Sequence, residues 1–177
     1  MRVIGGEFRS RILKSLPGID VRPTPDRLRE TLFNILAPTI AGKSFADVYA
    51  GTGAVGIEAI SRGARRAIFV ESNRAAAAVI RENLRSLAAM DRAELRVTRA
   101  AIALAQIEAD IVFLDPPYRL ENEYERSLDV LGERRIALVI AQHSSKLALT
   151  ESYGSLRRIR VLKQGDNTLS FYEPSLA

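Results

Sequence analysis

From residue 44 onward, short apolar runs alternate with stretches in which apolar residues recur at helical spacing. The runs predict strands at 44–49, 66–71, 94–98, 110–114 and 135–141, and a closing antiparallel pair at 157–162 and 168–172. Helices are expected between the strands, at 54–62, 74–87, 102–107 and 123–131. Alternating strands and helices predict an α/β protein whose mostly parallel sheet has helices on both faces. The continuous apolar character of the strands supports burial on both sides.

The first 43 residues follow a different pattern. Two short segments, 2–4 and 10–13, flank Gly5-Gly6 and predict a β-hairpin that is rich in arginine and lysine. A helix capped by Thr24 or Asp26 is expected to run as far as Leu36. We therefore divide the chain into a basic N-terminal hairpin extension, residues 1–22, and a larger domain, residues 23–177.

Composition narrows the classes of function. The chain has 177 residues, which is enough for one domain with a full core, and it has no cysteine for disulfide or thiolate chemistry. It shows neither the apolar core of a signal peptide nor a run as long as a membrane span, so a cytoplasmic protein without membrane contact is expected. His143 is the only histidine, which argues against a metal site. The net charge of +5 weakly favours polyanionic partners.

A glycine-rich loop follows the first predicted strand. Residues 51–56 have the G-x-G-x-x-G pattern that lets the backbone approach a ligand at the start of a helix. Glu71, about twenty residues further on, can accept hydrogen bonds from a ribose diol. Asp47 lies inside the strand, where burial is costly unless it orders the loop or reaches a ligand's ammonium group, and this favours S-adenosylmethionine over a nicotinamide cofactor. A glycine turn without a ligand is the structural alternative.

The run Asp115-Pro116-Pro117-Tyr118 follows the apolar stretch 111–114. The aspartate can accept a hydrogen bond from an amine, and the prolines stiffen the turn and remove donors, which leaves a backbone carbonyl free to accept a second one. The tyrosine offers a face on which a flat ring can stack. These features suit a nucleobase with an exocyclic amine, although a strand-ending turn with a capping aspartate would use the same residues.

At these residues the chain resembles the Rossmann-like, class I S-adenosylmethionine-dependent methyltransferases. Within that class it is similar to the bacterial family that methylates the exocyclic N2 of one guanine in 16S rRNA, conventionally guanine 966. The resemblance covers nearly the whole chain, with its most specific parts at 2–11, 22–34, 50–56, 58–64, 115–118 and 165–172.

The resemblance implies a seven-stranded sheet, S-adenosylmethionine as the cofactor, and 16S rRNA as the substrate, either naked or within a small-subunit assembly particle. The oligomeric state is not readable from the sequence, and a monomer is favoured. The catalytic residues would be Asp115, Pro116, Pro117 and Tyr118. The cofactor would be bound by Thr24, Arg27, Asp47, Ala50, Gly51, Thr52, Gly53, Glu71, Ser72 and Asp115. The RNA would be bound by Arg2, Arg9, Arg11, Lys14 and Arg22.

The chain departs from the family at three points. Asn73 replaces an acid, Ala101 stands where an Asp or Asn often meets the adenine amine, and Gln142-His143 stands at the predicted end of the fifth strand, where a Glu is common. Three alternatives therefore stay open. They are a methyltransferase for adenine N6 or cytosine N4 in another nucleic acid, a nicotinamide-dependent oxidoreductase, and an RNA-binding protein that has lost catalysis.

Overall fold

The structure is a computed structural model and describes residues 1–17 and 24–176. The strands are β1 (Ser44–Val48), β2 (Arg66–Val70), β3 (Ala93–Arg96), β4 (Ile111–Leu114), β5 (Leu138–Ser144), β6 (Ser152–Tyr153), β7 (Leu156–Gln164) and β8 (Asn167–Pro174). The α-helices are α1 (Asp26–Leu36), α2 (Ala54–Ser61), α3 (Arg74–Ser86), α4 (Ala100–Leu104) and α5 (Asn122–Gly132), and a short 3₁₀ helix spans Met90–Arg92.

All eight strands form one sheet in the order β3-β2-β1-β4-β5-β8-β7-β6. The first five pair in parallel, whereas β5–β8, β8–β7 and β7–β6 are antiparallel. Helices α4 and α5 pack on one face through residues such as Leu104 and Leu128, and α1 and α2 pack on the other through residues such as Phe33 and Ala59. The predicted α/β architecture is therefore confirmed. The strand order reverses between β1 and β4, the place where open α/β sheets bind ligands.

Several predicted elements have different bounds in the structure, and three differences affect the sheet and the residues packed on it. The sheet has eight strands rather than seven because the two-residue β6 adds to its antiparallel edge. Strand β5 begins and ends three residues later than predicted, because its antiparallel pairing with β8 continues to Ser144↔Asn167 and makes buried strand residues of Gln142 and His143. Helix α4 ends at Leu104 rather than at Ile107, which is buried beyond the helix.

The N-terminal segment, residues 1–17, folds back on itself as predicted, but only the pair Arg2 and Ile12 forms a β-bridge. The Val3 amide donates to the Arg11 carbonyl at 3.0 Å, and the Ser10 amide donates to the Val3 carbonyl at 2.9 Å. Val3, Phe8 and Leu13 of the segment are buried in one cluster with residues of α2 and α3, whereas Ile12 is exposed. The expected boundary after residue 22, and Arg22 itself, lie outside the described residues.

Gly6 accounts for the close approach of the N-terminal segment to α2. Its φ is +79°, and a Cβ atom at this position would lie 1.9 Å from the carbonyl oxygen of Ser61. The neighbouring Phe8 amide donates to the Ser61 hydroxyl at 2.9 Å. A residue with a side chain therefore cannot replace Gly6 without moving the segment away from the helix.

Candidate active site

A cavity of about 860 Å³ opens at the carboxyl ends of the central strands. That volume is typical of sites that hold a cofactor or a small molecule. Most of the residues predicted from the sequence line it: Thr24, Asp47, Ala50, Gly51, Thr52, Glu71, Ser72, Asp115, Pro116, Pro117 and Tyr118. The glycine loop and the Asp115 turn, more than sixty residues apart in the chain, thus open into one cavity.

The loop between β1 and α2 has a left-handed backbone at three positions. The φ angles are +66° at Tyr49, +58° at Gly51 and +81° at Gly53. A Cβ atom on Gly53 would lie 3.2 Å from a side-chain carbon of Ile80 and 3.3 Å from the ring of Phe69. Gly53 does not line the cavity. A glycine is needed there because the left-handed turn and the close packing of α2 leave no room for a side chain.

Two carboxylates hold the glycine loop. Glu71 accepts hydrogen bonds from the Gly51 amide at 2.8 Å and the Asn73 amide at 2.7 Å, and Asp47 accepts one from the Gly56 amide at 2.9 Å. The predicted role of Asp47 in ordering the loop is therefore present in the structure. Glu71 is half-buried and also borders the cavity, where its remaining lone pairs can meet a ligand hydroxyl.

Burial raises the pKa of the Asp47 carboxyl well above its usual range. The hydrogen bond from Gly56 opposes this shift, and the nearby Asp115 and Glu71 charges add to it. Above the ordinary carboxyl pKa of about 4, the folded protein therefore binds more protons than the unfolded chain. By linkage, the free energy of unfolding falls as the pH rises through that region and levels off above the folded pKa.

We expect Asp47→Asn to be more stable than the native chain at pH 8 by at least about 1 kcal/mol, with a smaller gap at pH 4. The asparagine oxygen can still accept the Gly56 hydrogen bond, but it carries no charge to bury. Urea unfolding at the two pH values measures the gap. Asp129→Asn, on an exposed part of α5, is the control and should show none. A gap of equal size at both pH values would contradict the linkage.

The Asp115 turn continues from β4 at the bottom of the cavity. The Thr24 hydroxyl donates to the Asp115 Oδ2 at 3.2 Å and does not cap α1, whose first turn has no side-chain cap. Burial raises the pKa of Asp115 to about 7, an effect that the Thr24 hydrogen bond opposes. The carboxyl thus titrates near neutral pH, as groups that handle reacting atoms often do.

Two tyrosines near Asp115 make hydrogen bonds that bear on how a base could be held there. The Tyr124 hydroxyl is 2.7 Å from the Gln142 carbonyl oxygen and 3.4 Å from that of Pro116. A hydroxyl has one proton, and the shorter contact takes it, so the Pro116 carbonyl keeps its capacity to accept an N–H. The Tyr118 hydroxyl donates to the side chain of Asn167 on β8, which fixes its ring at the cavity wall.

Sequence reasoning missed several cavity residues. Tyr49 lines the cavity and its hydroxyl lies 3.1 Å from Glu123, an arrangement that depends on its left-handed backbone. Gln142 also lines the cavity. It could have been found from the sequence, because it is a polar residue directly after a run of apolar strand residues. Arg99 is exposed and borders the cavity, as does Ala101.

The predicted basic residues lie elsewhere. Arg2, Arg9, Arg11 and Lys14 are all exposed on the N-terminal segment. Met1 of the same segment lines the cavity, whereas none of these four cations belongs to its lining. Arg27 is exposed on α1 and does not belong to the cavity wall.

The described ranges, 1–17 and 24–176, contain no cluster of three or more potential metal-ligating side chains. Within the same ranges, no helix has both the length and the apolar character needed to cross a membrane.

The fold and the cavity define a Rossmann-like methyltransferase. A solved structure of a candidate methyltransferase from Escherichia coli, yhhF, superposes with a TM-score of 0.86 over 98% of this chain and 97% of that one, at 34% identity. The chain belongs to the family described as conserved hypothetical protein 95, which matches residues 1–173.

Curated relatives agree with the resemblance seen in the sequence. A candidate rRNA methyltransferase of Bacillus subtilis, YlbH, is 33% identical over 182 residues, which cover 98% of each chain. Ribosomal RNA small subunit methyltransferase D of Escherichia coli strain K12 is 44% identical over 121 residues. That match covers 67% of this chain but only 61% of the relative. The similarity to bacterial rRNA methyltransferases is thereby confirmed.

Proposed function

We propose that this protein transfers a methyl group from S-adenosylmethionine to the exocyclic N2 amine of one guanine in the 16S rRNA of the small ribosomal subunit. The observation that carries the proposal is the shared cavity, where the amine-binding turn at Asp115 lies beside the glycine loop. The names of the relatives support ribosomal RNA as the substrate. In this proposal the reaction takes place in the cytoplasm, where ribosomal RNA is found.

The residues around the glycine loop fit S-adenosylmethionine. The cavity of about 860 Å³ has room for a cofactor and a base together. Glu71 would accept the ribose hydroxyls, and Asp47 and Thr24 supply polar groups for the amino-acid part. Ala101 has no side-chain group to bind the adenine ring, so contacts there would come from the backbone and apolar neighbours. When bound, this cofactor would supply a methyl group on a sulfonium, with a neutral thioether as the leaving group.

The Asp115 turn would position the target amine and stabilise the charge that it gains. One amine N–H would donate to the Asp115 carboxylate and the other to the Pro116 carbonyl, which keeps an acceptor site. These hydrogen bonds favour a more tetrahedral nitrogen and strengthen as positive charge develops on it. After the new N–C bond forms, the excess proton passes to Asp115 or to water. Tyr118 would stack on the base once the base has turned out of its RNA.

Analysis of 16S rRNA from cells that lack this protein tests the proposal. Mass spectrometry of nuclease fragments should show the loss of one N2-methylguanine, which a plasmid copy of the gene restores and the Asp115→Ala copy does not. An unchanged set of modified guanines in the deletion strain would overturn the assignment. A new loss of N6-methyladenine or N4-methylcytosine would favour the rival nucleic-acid methyltransferases instead.

A melting experiment separates the proposed cofactor from a nicotinamide. S-adenosylmethionine at about 100 times its Kd should stabilise the folded protein by about 2.7 kcal/mol and raise its Tm, whereas NADH should leave the Tm unchanged. Glu71→Ala removes an acceptor from the cavity and the tie to Gly51, and should reduce the shift. A Tm that rises with NADH alone would favour the oxidoreductase alternative.

We expect the N-terminal cations to contact RNA phosphates. Arg2→Ala with Arg9→Ala should reduce the steepness of log K against log salt by about 0.7 for each phosphate that the variant no longer neutralises. Filter binding to a 16S rRNA fragment between 50 and 200 mM salt, values at which such contacts weaken strongly, measures the slope. Arg157→Ala is the matched control, because Arg157 is exposed on β7, whereas the N-terminal segment packs with β2 near the other end of the strand order. Parallel slopes for the native and doubly substituted proteins would contradict this role.

A further inference from the structure

Gln142 and Asp115 are neighbours across the sheet. Strands β4 and β5 pair in parallel with Leu114 opposite Ala141, so the next residue on each strand is Asp115 and Gln142. Side chains alternate between the faces of a strand, which places Gln142 on the same face as the buried Ile140. Adjacent strands lie about 4.8 Å apart. Both side chains line the same cavity.

The Gln142 carboxamide is buried without a full set of partners. The residue is 3% exposed, and its Oε1 is a buried atom with no hydrogen-bond partner among the described residues. Buried polar atoms are nearly always paired, and an unpaired one costs the folded state free energy. The side chain of Gln142 lines the cavity, so a carboxamide oxygen that the protein leaves without a donor points to a donor supplied by a ligand.

The other acceptors at this end of the cavity have assigned partners. The Thr24 hydroxyl donates to one oxygen of Asp115, which leaves the second oxygen for one amine N–H. The Pro116 carbonyl would take the other amine N–H. A donor next to the amine on the same base would therefore meet Gln142.

Guanine is the common base that has such a donor. Its N1–H lies beside the exocyclic amine, whereas adenine and cytosine have an unprotonated ring nitrogen beside theirs. We propose that Gln142 is a specificity-determining residue whose Oε1 accepts the N1–H of the target guanine while Asp115 holds the amine. An adenine or cytosine in the same position would place an unprotonated ring nitrogen against Oε1, and the buried carboxamide would have to turn its NH₂ group towards that nitrogen to pair with it. This inference rests on the proposed function and identifies the group that selects the base.

The test compares an RNA that has the target guanine with one that has 2-aminopurine in its place. 2-Aminopurine keeps the amine but has no N1–H. We expect the native protein to favour guanine in kcat/KM by about 10-fold to 100-fold, and Gln142→Leu to reduce this preference to within about threefold. Gln142→Glu at pH 8 keeps an acceptor and should keep the preference. Any intrinsic difference in reactivity between the two bases cancels when the ratios of the variants are compared.

The controls separate this inference from the proposed function. Gln106→Leu, at an exposed position after α4, should leave the preference unchanged. If Gln142→Leu turns over too slowly, the equilibrium affinities of the two RNAs give the same ratio. A native preference that survives in Gln142→Leu would overturn the role of Gln142 alone. Failure of the native protein to methylate the guanine RNA, with its cofactor bound, would overturn the proposed function itself.

Discussion

Asp115→Ala is expected to lower kcat by about 100-fold to 1,000-fold while the affinity for S-adenosylmethionine changes by less than about threefold. In the proposed mechanism the Asp115 carboxylate holds the amine and stabilises its developing charge, whereas the glycine loop is held by Glu71 and Asp47. Single-turnover methylation measures the first quantity, and calorimetry with the cofactor measures the second. Asp91→Ala, an exposed position in the 3₁₀ helix, is the control. Near-normal turnover of Asp115→Ala would contradict the proposal that Asp115 holds the amine and stabilises its charge.

The same carboxyl predicts the pH dependence of the reaction. Because burial raises the pKa of Asp115 to about 7, the acceptor form increases as the pH rises through neutrality. The value of kcat/KM should therefore rise with pH, with an inflection near 7, and then level off. Asp115→Asn keeps an acceptor oxygen that does not titrate, so its lower rate should be flat over this range. The same inflection in Asp115→Asn would assign the titration to another group.

Glu58 holds the N-terminal segment from within the protein. Its fully buried carboxylate accepts hydrogen bonds from the amides of Ile4 and Gly5, both at 2.8 Å, and from Arg62 Nε at 2.9 Å. It also lies 4.0 Å from the Nε of Arg29, which is fully buried. Burial lowers the pKa of Arg29, and the Glu58 charge opposes that shift. One carboxylate thus serves two backbone donors and two guanidinium groups.

Glu58→Ala should therefore lower the free energy of unfolding by about 3–5 kcal/mol, because it leaves the buried Arg29 guanidinium with the exposed Asp26 as its remaining carboxylate partner and leaves two backbone amides without their acceptor. Urea denaturation measures the loss. Glu82→Ala is the matched control, since Glu82 pairs with Lys14 on the surface, where such a pair contributes about 0–1 kcal/mol. A loss below about 1 kcal/mol for Glu58→Ala would show that this anchor is not needed.

Local patterns allowed much of the fold and of the site to be predicted. The glycine loop and the Asp115 turn are contiguous motifs, and each follows an apolar strand, so their place at one edge of the sheet was predictable. Asn73 stands directly before the helix predicted at 74–87, and its side chain caps α3 by accepting from the Ala76 amide.

The contacts that the sequence did not predict join distant parts of the chain. Thr24 meets Asp115 across 91 residues, and that contact replaced its expected role as a helix cap. Gln142 was expected after the strand, but pairing with β8 extends β5 past it and keeps it buried. Such features depend on register and close packing, which hydrophobic periodicity does not encode. For Arg27 the family resemblance predicted a contact with the cofactor. In the structure Arg27 is exposed and does not line the cavity.

The contact between Gly6 and the Ser61 carbonyl has a mechanical consequence. With the amides of Ile4 and Gly5 held by the buried Glu58, it makes the basic segment and α2 one stiff block. Helix α2 starts at the glycine loop, so the surface that we propose binds RNA phosphates keeps a fixed spacing from the cavity. Because this part of the protein is rigid, the conformational change needed for binding must occur in the RNA. We therefore expect the RNA to unstack and swing out its own nucleotide to span that distance.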